Sequence, residues 1–377
     1  MKIRVLHCVE TIASGGVEQT LLTLIKGLDK DRFEHKIICT WHGGPISEAM
    51  SNEGVELISV GSFKSPFEFR KLWKVVTIAK KYNPHVIHGA VFEGMTMATI
   101  GGFLGCVPII ILEETSDPQN RSKKADWLLK QFSRIADKVQ AISYEVGEYL
   151  KNITKIDYKK IKVISNGIPI PISIEEGIIK ETKSLLKISE KDIVIGFVGR
   201  LYDDHKRVSD LIEAISLLKV PNVKLLIIGE GKDRKALEER VKNLNLEKIV
   251  IFLGYQSKPD LYYQLMDVFC IPSSREGFGL VAAEAMINRV PVIATSVGGL
   301  PEIVSDEVTG FLVPPYSPSS LAKKLEILFE NRKLRIKMGE AGFQKVMENY
   351  TAKRYCHEVE NLYLKLLKSK GIIQSSY

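Results

Sequence analysis

Paired cysteines are missing from this 377-residue sequence, which contains only five cysteines. No two of them form a CxxC pair, and an odd number cannot all be joined in disulfides. Cys8, Cys39 and Cys270 lie in apolar segments typical of strands. We therefore expect buried thiols in a protein of the reducing cytosol.

Long apolar runs are also missing, and none approaches the ~20 residues of a transmembrane helix. Met1 leads directly into the strand-like segment KIRVLHCV, without the charged and apolar regions of a signal peptide. We expect a cytoplasmic protein that does not cross a membrane. With 45% hydrophobic and 26% charged residues, the chain is neither disordered, collagen-like nor a coiled coil.

Strand-like and helical patterns alternate along the chain. Candidate strands of the first half lie at 3–9, 35–40, 55–61, 85–89, 108–112, 138–143 and 161–165. Those of the second half lie at 193–199, 223–229, 249–254, 268–273, 290–296 and 310–314, with helices at 207–219, 233–244, 279–288 and 318–330. This alternation predicts parallel sheets covered by helices on both faces.

The segment 166–177 contains three prolines among β-branched residues and predicts an extended connector. We place a domain boundary here, which gives domains at 1–168 and 169–354. The last ~45 residues are expected to be helical. Their apolar stripe comprises Tyr355, Val359, Leu362 and Leu366. Ligands of two such α/β halves belong at the carboxyl ends of the strands, in the crevice between the halves.

Two cations follow the first strand of the second half. Gly199 and Arg200 come directly after this strand, and Lys206 lies six residues beyond Arg200. An arginine can hold two phosphate oxygens at once, and a lysine supplies a compact point charge. The two residues therefore suit a diphosphate leaving group, whereas surface salt bridges are the alternative if they are considered alone.

A glycine-containing turn precedes the helix expected at 279–288. Gly277 and Gly279 leave backbone amides uncovered at the start of this helix, where anions and hydroxyls bind. Glu276 comes before the turn, and Glu284 lies eight residues further on. These two carboxylates are candidates to hold hydroxyl pairs of a hexose and a ribose. A tight turn without a ligand is the alternative.

Together these motifs resemble glycosyltransferase family 4, retaining enzymes of the GT-B fold. The matching residues are Gly15 to Glu18, Gly199 to Leu201, Lys206, Gly229 to Gly231, Leu253, Gly254, Glu276 to Leu280, Glu284 and Gly298 to Glu302. The resemblance covers nearly the whole chain, and the motifs are specific as a set. It implies an α/β fold of two Rossmann-like doubly wound domains that face each other across a cleft. The helix at about 355–377 would pack back on the first domain.

The resemblance also implies roles for single residues. Arg200 and Lys206 would neutralise the departing diphosphate, Glu276 would hydrogen-bond the sugar, and Glu284 would hold the ribose. Further contacts with the nucleotide sugar are implied for Gly16, Gly199, Gly229, Leu253, Gly254, Gly277, Phe278, Gly279 and Leu280. Because the two cations supply the charge that the leaving group needs, no metal or other cofactor is expected. The string Asp29-Lys30-Asp31 is expected to be a solvated turn.

The acceptor side departs from the family pattern. Many relatives carry HxH after the fourth strand, but Ala90 follows His88 where a second histidine is expected. Thr115 similarly stands at the position of a histidine after the fifth strand. His88 remains a catalytic candidate near the reacting face of the sugar, and a buried core histidine is the alternative. Glu114, at the end of the fifth strand, is a candidate contact for the acceptor.

The basic excess is concentrated in two segments. Residues 64–81 and 121–138 carry +5 and +4, which together exceed the net charge of +8. Basic amphipathic helices with aromatic residues such as Phe69, Trp73 and Trp127 suit anionic membrane surfaces. We expect peripheral association with the inner face of the cell membrane, unless the apolar faces pack on the sheet. Zinc-finger spacing and RNA-binding aromatic motifs are missing, so no nucleic-acid partner is expected.

The sequence therefore predicts a retaining glycosyltransferase of cell-surface polysaccharide synthesis. It would transfer a hexose or N-acetylhexosamine from a nucleotide sugar to a glycan or a lipid-linked oligosaccharide. A UDP-sugar is the expected donor, although relatives also use GDP-mannose. The alternatives are a nucleotide-sugar epimerase of similar fold and a non-catalytic sugar-nucleotide-binding protein, and the complete set of charged motif residues argues against the second.

Overall fold

The computed structural model describes residues 2–63, 68–116 and 121–374. Two compact units divide the chain: unit 1 comprises Met1–Pro169 and Thr351–Tyr377, and unit 2 comprises Ile170–Tyr350. The first division falls in the proline-containing connector predicted at 166–177. Since unit 1 contains both the earlier and the later segment, the chain passes into unit 2 and returns.

Unit 1 is built on a parallel sheet of seven strands in the order β5-β3-β1-β6-β7-β8-β9, and a small ladder joins β2 to β4. Its strands are β1 (Ile3–Cys8), β2 (Thr11–Ile12), β3 (Phe33–Cys39), β4 (Trp41–His42), β5 (Glu56–Ser59), β6 (Val86–Ala90), β7 (Ile109–Glu114), β8 (Lys138–Ala141) and β9 (Ile161–Val163). The helices between them are α1 (Gly16–Gly27), α2 (Gly44–Asn52), α3 (Phe69–Tyr82), α4 (Val91–Leu104), α5 (Lys123–Ile135) and α6 (Tyr144–Asn152), with a 3₁₀ turn at Tyr158–Lys160. The central strands β6 and β7 are buried along their whole length, as expected for strands covered by helices on both faces.

Unit 2 is built on a parallel sheet of six strands in the order β12-β11-β10-β13-β14-β15. Its strands are β10 (Ile193–Val198), β11 (Val223–Ile228), β12 (Val250–Gly254), β13 (Val268–Ile271), β14 (Val292–Thr295) and β15 (Gly310–Val313). Its helices are α7 (Glu176–Leu185), α8 (Asp203–Lys206), α9 (Val208–Leu217), α10 (Arg234–Asn243), α11 (Asp260–Tyr263), α12 (Leu280–Ile287), α13 (Leu300–Ile303), α14 (Pro318–Glu330) and α15 (Arg332–Asn349). The strand order reverses between β10 and β13, and such a switch point is where doubly wound sheets bind ligands.

All thirteen predicted strands are present, and their ends differ from the predicted ones by no more than two residues. The two-residue strands β2 and β4 were not predicted. The four predicted helices of the second half correspond to α9, α10, α12 and α14. The fold class is therefore confirmed as two α/β units with parallel, doubly wound sheets.

The last helix, α16 (Ala352–Ser369), packs on the sheet of unit 1. The four residues of the apolar stripe are buried against strand residues such as Ile3, Val5 and Val86. Helix α16 also lies close to α1. A Cβ atom on Gly27 of α1 would collide with the Cys356 thiol of α16. Residues 375–377 of the predicted helix lie outside the described residues.

The five cysteines and the helices can be compared with the expected buried thiols and the expected lack of membrane spans. Cys8, Cys39, Cys270 and Cys356 are free and buried, and Cys106 is free and exposed. In the described part of the chain, no helix combines the length and the apolar character that a bilayer-spanning segment requires.

Truncation of Leu367 to alanine should destabilise unit 1 by about 2–5 kcal/mol, because this fully buried side chain of α16 would leave a cavity. Denaturation by urea can be followed through tryptophan emission, since Trp41, Trp73 and Trp127 all belong to unit 1. Lys365→Ala, on the exposed side of α16, is the matched control and should change stability by less than about 0.5 kcal/mol. An unchanged midpoint for Leu367→Ala would contradict the packing of α16.

Candidate functional site

The candidate residues of unit 2 lie in loops that follow the carboxyl ends of its strands. Strands β10 and β13 are hydrogen-bonded neighbours, so the loops that leave them run side by side. The loop after β10 carries Arg200 and leads into α8, and the loop after β13 carries Glu276 and leads into α12. The switch point of the sheet therefore gathers the predicted charged residues at one edge.

An ion pair between the Lys206 ammonium and the Glu276 carboxylate joins these two loops. Exposed fractions of 22% and 17% for the two side chains show that the pair is largely shielded from water. Charges attract more strongly in such surroundings than in bulk solvent. The Ser273 hydroxyl donates a further hydrogen bond to Glu276 at 3.4 Å. The sequence predicted that both residues contact the donor, but it did not predict that they contact each other.

Further hydrogen bonds hold the loop after β13 against α8. The Ser274 amide donates to the His205 carbonyl at 2.8 Å, and the Ser274 hydroxyl donates to the Asp204 carbonyl at 2.9 Å. The Arg275 guanidinium donates to the Asp204 carboxylate at 3.0 Å. The position of Glu276 is therefore fixed by several bonds besides its own ion pair.

Arg200 is exposed, and its guanidinium makes no hydrogen bond or ion pair with any residue that the structure describes. Its backbone is nevertheless held on both sides. The Gly199 amide donates to the Ile228 carbonyl at 2.9 Å, and the Leu201 amide donates to the Glu230 carbonyl at 2.9 Å. Arg200 thus presents an unpaired positive charge from a fixed backbone, in the loop that leads from β10 to the helix of Lys206.

Glycines let the loops after β10, β11 and β12 approach one another closely. A Cβ atom on Gly229 would collide with the Gly199 carbonyl oxygen, and the φ of +136° at Gly229 is one that glycine adopts most readily. The Gly229 amide donates to the Gly254 carbonyl at 2.8 Å. The neighbouring Leu253 carbonyl accepts a hydrogen bond from Gln256 at 2.9 Å. Four residues predicted to contact the nucleotide sugar therefore lie at the same edge of the sheet: Gly199, Gly229, Leu253 and Gly254.

The turn before α12 contains buried amides without partners. Gly277, Phe278 and Gly279 are buried, yet among the described residues none accepts a hydrogen bond from their amides. Gly279 has a φ of +100° and precedes Leu280, the first residue of α12. Buried amides are almost always hydrogen-bonded in proteins. This turn, at the positive end of a helix, is therefore ready to bind oxygen atoms of a ligand.

Glu284 is partly buried on α12, and the fully buried Tyr263 donates its hydroxyl to it at 2.8 Å. Burial raises the pKa of Glu284, and the nearby Asp260 raises it further, while the hydrogen bond from Tyr263 favours the charged form. The other carboxylate oxygen accepts no hydrogen bond from the described residues. No motif identified Tyr263 in the sequence, because its hydrogen bond to Glu284 joins two helices, α11 and α12, across 21 positions of the chain.

In unit 1, Gly16 is the first residue of α1 and is exposed. It follows β2, which continues from the carboxyl end of β1, the central strand next to the switch of that sheet. The Thr20 hydroxyl donates to the Gly16 carbonyl at 2.9 Å. The predicted contact of Gly16 with phosphate stays a prediction.

His88 is buried within β6 and is 3% exposed. Its Nδ1 lies 2.7 Å from the Tyr363 hydroxyl of α16, and its Nε2 lies 3.4 Å from the Glu113 carboxylate. Burial lowers the pKa of His88 to about 4 and raises the pKa of Glu113 to about 7. The contact with Tyr363 fits the alternative interpretation of a core histidine, but the buried Nε2 makes no hydrogen bond with the described residues. A catalytic role for His88 stays a prediction.

Glu114 is fully buried at the end of β7 and binds the Arg121 guanidinium with both carboxylate oxygens. The Ser116 hydroxyl also donates to it at 2.8 Å. An acceptor hydroxyl would therefore have to compete with a cation for this carboxylate, and its role as an acceptor contact stays a prediction. Arg121 was counted with the basic surface, but only 11% of its side chain is exposed.

The string Asp29-Lys30-Asp31 forms an exposed turn between α1 and β3, as predicted. Across the described ranges, no group of three or more histidine, cysteine, aspartate or glutamate side chains is placed to hold a metal ion.

The two basic helices lie on one side of unit 1, with α4 packed between α3 and α5. The apolar stripes of both helices point inward, since Leu72, Val76, Leu128 and Phe132 are buried. Outside these stripes, exposed aromatic side chains remain: Phe69 at 84%, Trp73 at 63% and Trp127 at 59%. Burial inside unit 1, with α4 as a neighbour of both helices, therefore accounts for the stripes but not for these aromatics. Residues 64–67 of the first basic segment lie outside the described residues.

Two family models match the chain, one for each unit. Residues 14–170 match "Glycosyltransferase Family 4", and residues 179–345 match "Glycosyl transferases group 1". The capsular polysaccharide biosynthesis glycosyltransferase CapM of Staphylococcus aureus is 28% identical over 80% of this chain and 82% of its own length. An alpha-1,4-N-acetyl-D-galactosaminyltransferase of Campylobacter jejuni, which acts on a GalNAc-containing PP-undecaprenol, is 26% identical over 96% of both chains.

The fold is likewise shared with solved glycosyltransferase structures. Anabaena HepE in complex with UDP-glucose superposes with a TM-score of 0.87 at 20% identity, over 96% of this chain and 100% of that one. A glycosyltransferase of Rickettsia africae superposes with a TM-score of 0.84 at 24% identity, over 97% of this chain and 99% of that one. With a family 4 match in unit 1, a group 1 match in unit 2 and these structural neighbours, the chain belongs to the family 4-like glycosyltransferases of the GT-B fold.

Proposed function

We propose that this glycosyltransferase moves a hexose or N-acetylhexosamine from a UDP-sugar to a glycan or lipid-linked oligosaccharide, in the synthesis of a cell-surface polysaccharide. The observation that carries the proposal is the Lys206–Glu276 ion pair at the edge of unit 2, with Arg200 in the loop after β10 and unpaired amides in the turn between Glu276 and the helix of Glu284. Unit 2 would bind the donor, and unit 1 would bind the acceptor.

Arg200 and Lys206 would bind the diphosphate of the donor. Arg200 has no partner among the described residues, so a diphosphate gains its interaction without breaking another ion pair. Lys206 is bound to Glu276, and an arriving phosphate would share its ammonium with that carboxylate. As the bond to the sugar breaks, negative charge develops on the diphosphate, and cations already in position stabilise it.

The two carboxylates would hold the two sugars of the donor. Glu276 and the amides of Gly277 to Gly279 together offer acceptors and donors for hydroxyls of the transferred sugar. Glu284 has one free oxygen for a ribose hydroxyl, while Tyr263 occupies the other. A UDP-sugar is supported by the UDP-glucose bound to Anabaena HepE, which shares this fold.

Three further parts of the proposal have separate support: the acceptor, the stereochemistry and the lack of a cofactor. The relatives from S. aureus and C. jejuni act in capsule synthesis and on an undecaprenol-linked glycan, which supports a glycan or lipid-linked acceptor. Retention of the anomeric configuration follows from the resemblance to retaining family 4 enzymes. We propose transfer without a metal ion, because Arg200 and Lys206 supply the positive charge.

The exposed aromatic side chains of α3 and α5 would bind an anionic membrane surface on which such an acceptor resides. Phe69, Trp73 and Trp127 suit the interfacial region of a bilayer. Exposed cations without ion pairs among the described residues surround them: Arg70, Lys80, Lys81, Lys123 and Lys124. Each such cation contributes about 1 kcal/mol near an anionic surface.

Loss of the two cations should abolish most of the transfer. Lys206→Ala or Arg200→Ala is expected to lower kcat/KM by about 10²–10³-fold, since the leaving group loses a preorganised charge. Release of UDP from a UDP-sugar in the presence of acceptor measures the rate, and circular dichroism checks the fold. Arg240→Ala, which removes an exposed pair with Glu213, is the control and should leave the rate unchanged.

In the same assay, EDTA should not reduce the rate of the unaltered enzyme. A double variant, Arg200→Ala with Lys206→Ala, that transfers sugar as fast as the unaltered enzyme would exclude the proposed phosphate site.

Removal of the Glu284 charge should weaken nucleotide binding through the ribose. Glu284→Gln is expected to raise the Kd for UDP by about 10- to 100-fold, since hydrogen bonds to charged groups contribute about 1.5–3 kcal/mol. Tyr263→Phe should raise the Kd for UDP less, because it removes only the hydrogen bond that positions the Glu284 carboxylate and leaves the carboxylate in place. Calorimetry with UDP and with its 2′,3′-dideoxy analogue makes the test specific, and Tyr262→Phe is the control. Equal losses of affinity for both nucleotides would show that Glu284 does not contact the ribose.

Membrane binding should depend on the exposed tryptophans and on salt. The unaltered protein is expected to sediment with vesicles of phosphatidylglycerol and phosphatidylcholine at low salt, and less at high salt because cation attraction is screened. Trp73→Ala with Trp127→Ala should reduce the bound fraction. Vesicles of phosphatidylcholine alone provide the control. If the unaltered protein does not bind the anionic vesicles at low salt, the membrane proposal is wrong.

A further inference from the structure

All three tryptophans of the chain are exposed, but they lie in different surroundings. Trp73 and Trp127 lie on the basic helices α3 and α5. Trp41, which is 55% exposed, lies on the two-residue strand β4 instead. This large aromatic side chain outside the basic helices leaves apolar area that a ligand can cover.

The backbone that carries Trp41 is held on both sides. Strand β4 continues from the carboxyl end of β3 and pairs with β2, which continues from β1. The Gly43 amide donates to the Ile12 carbonyl at 2.9 Å, and the Gly61 amide donates to the Thr40 carbonyl at 3.1 Å. Trp41 therefore projects from a rigid part of unit 1, at the edge where the strands of the sheet end.

The indole of Trp41 rests against the backbone of Gly43. A Cβ atom on Gly43 would lie 2.8 Å from Cη2 and 2.9 Å from Cζ2 of the indole, closer than side-chain atoms tolerate. The φ of 171° at Gly43 is extended, and any residue can adopt it. Glycine is therefore required here because it has no side chain that would collide with the indole, and not because of its backbone conformation. The benzene ring of the indole is therefore close to the chain at Gly43, while Trp41 as a whole is 55% exposed.

The segments that flank Trp41 carry no basic residue of their own. Segments 9–18 and 40–48, which contain β2, β4 and the loops that flank them, include no lysine or arginine but three acidic residues: Glu10, Glu18 and Glu48. One cation of α3 approaches from outside these segments, since a Cβ atom on Gly61 would lie 3.6 Å from Cε of Lys71, and the Gly61 amide donates to Thr40. A neutral sugar needs no counter-charge in such mixed surroundings.

An exposed aromatic ring on a fixed backbone suits a pyranose. One face of a pyranose consists mainly of C–H groups with partial positive charge, and the face of an aromatic ring is negative. A tryptophan on a fixed backbone loses little conformational freedom on binding. Carboxyl ends of strands are the usual position of ligands in doubly wound sheets.

We propose that Trp41 is a stacking platform for a pyranose ring of the acceptor glycan. This inference rests on the proposed function, in which unit 1 binds the acceptor, and it adds the residue and the chemical class of the ligand.

A variant with a single tryptophan tests the platform directly. Trp73→Phe with Trp127→Phe leaves Trp41 as the only tryptophan, so its emission reports on this position alone. The probes are methyl glycosides of glucose, galactose, N-acetylglucosamine and N-acetylgalactosamine, each titrated in the presence of UDP. A saturable change of emission with at least one glycoside is expected. If none of them changes the emission while UDP still stabilises the protein against heat, the inference is overturned.

Kinetics with the acceptor glycan provide a second test. Trp41→Ala should raise the acceptor KM by about tenfold, as expected for the loss of an aromatic contact, and Trp41→Phe should restore part of it. Gly43→Ala should also raise the acceptor KM, because the added methyl group displaces the indole. The Kd for UDP and sedimentation with anionic vesicles should not change in these variants. An unchanged acceptor KM in both Trp41→Ala and Gly43→Ala would contradict the platform.

Failure of this inference can be distinguished from failure of the proposed function. If UDP neither stabilises the unaltered protein nor binds in calorimetry, the proposed donor site is wrong. If UDP binds and Trp41 does not respond to any sugar, only the platform is wrong.

Discussion

The contact between the Lys206 ammonium and the Glu276 carboxylate is the interaction on which the site of unit 2 depends. The two residues are 70 positions apart in the chain, and they meet because β10 and β13 are neighbours in the sheet. Each charge stabilises the other in a partly shielded position, where an unpaired charge would be costly. A diphosphate that binds here enters an arrangement in which positive and negative groups already have fixed positions, so little reorganisation is needed.

The two units differ in how their polar groups are satisfied. At the edge of unit 2, the Arg200 guanidinium and the amides before α12 have no hydrogen-bond partners in the described structure. These N–H groups therefore remain available to donate to a ligand. In unit 1 the buried carboxylates and the histidine are already engaged: Glu114 with Arg121, and His88 with Tyr363. These hydrogen bonds are made within unit 1 and need no ligand.

The regular part of the fold could be predicted because its signals are local. Apolar runs of four to seven residues identify the long strands, and an apolar stripe at helical spacing identifies α16. Strands β2 and β4 contain two residues each and therefore leave no periodic pattern. They nevertheless carry Trp41 to the edge of the sheet. The support of its indole by Gly43 depends on side-chain orientation, which the sequence does not specify.

The candidate site could be predicted by residue type but not by contact. Arg200, Lys206, Glu276 and Glu284 were identified from motifs, and the structure gathers the first three in adjacent loops. The partners that decide their chemical state were not identified, because they come from other parts of the chain. Tyr263 donates to Glu284 from a different helix, and no local pattern marks such a residue. The same limit applies to Glu114, since a motif shows the carboxylate but not the Arg121 guanidinium that occupies it.

The return of the chain to unit 1 has a consequence for the order of folding during synthesis. A ribosome completes residues 170–350, the whole of unit 2, before it makes α16. The core of unit 1 includes Tyr355, Val359 and Leu367 from that helix, so this core stays open until the last segment emerges. Nascent chains usually complete their N-terminal domain first. Here the inserted unit can become native first, and the flanking unit closes around its own strands only afterwards.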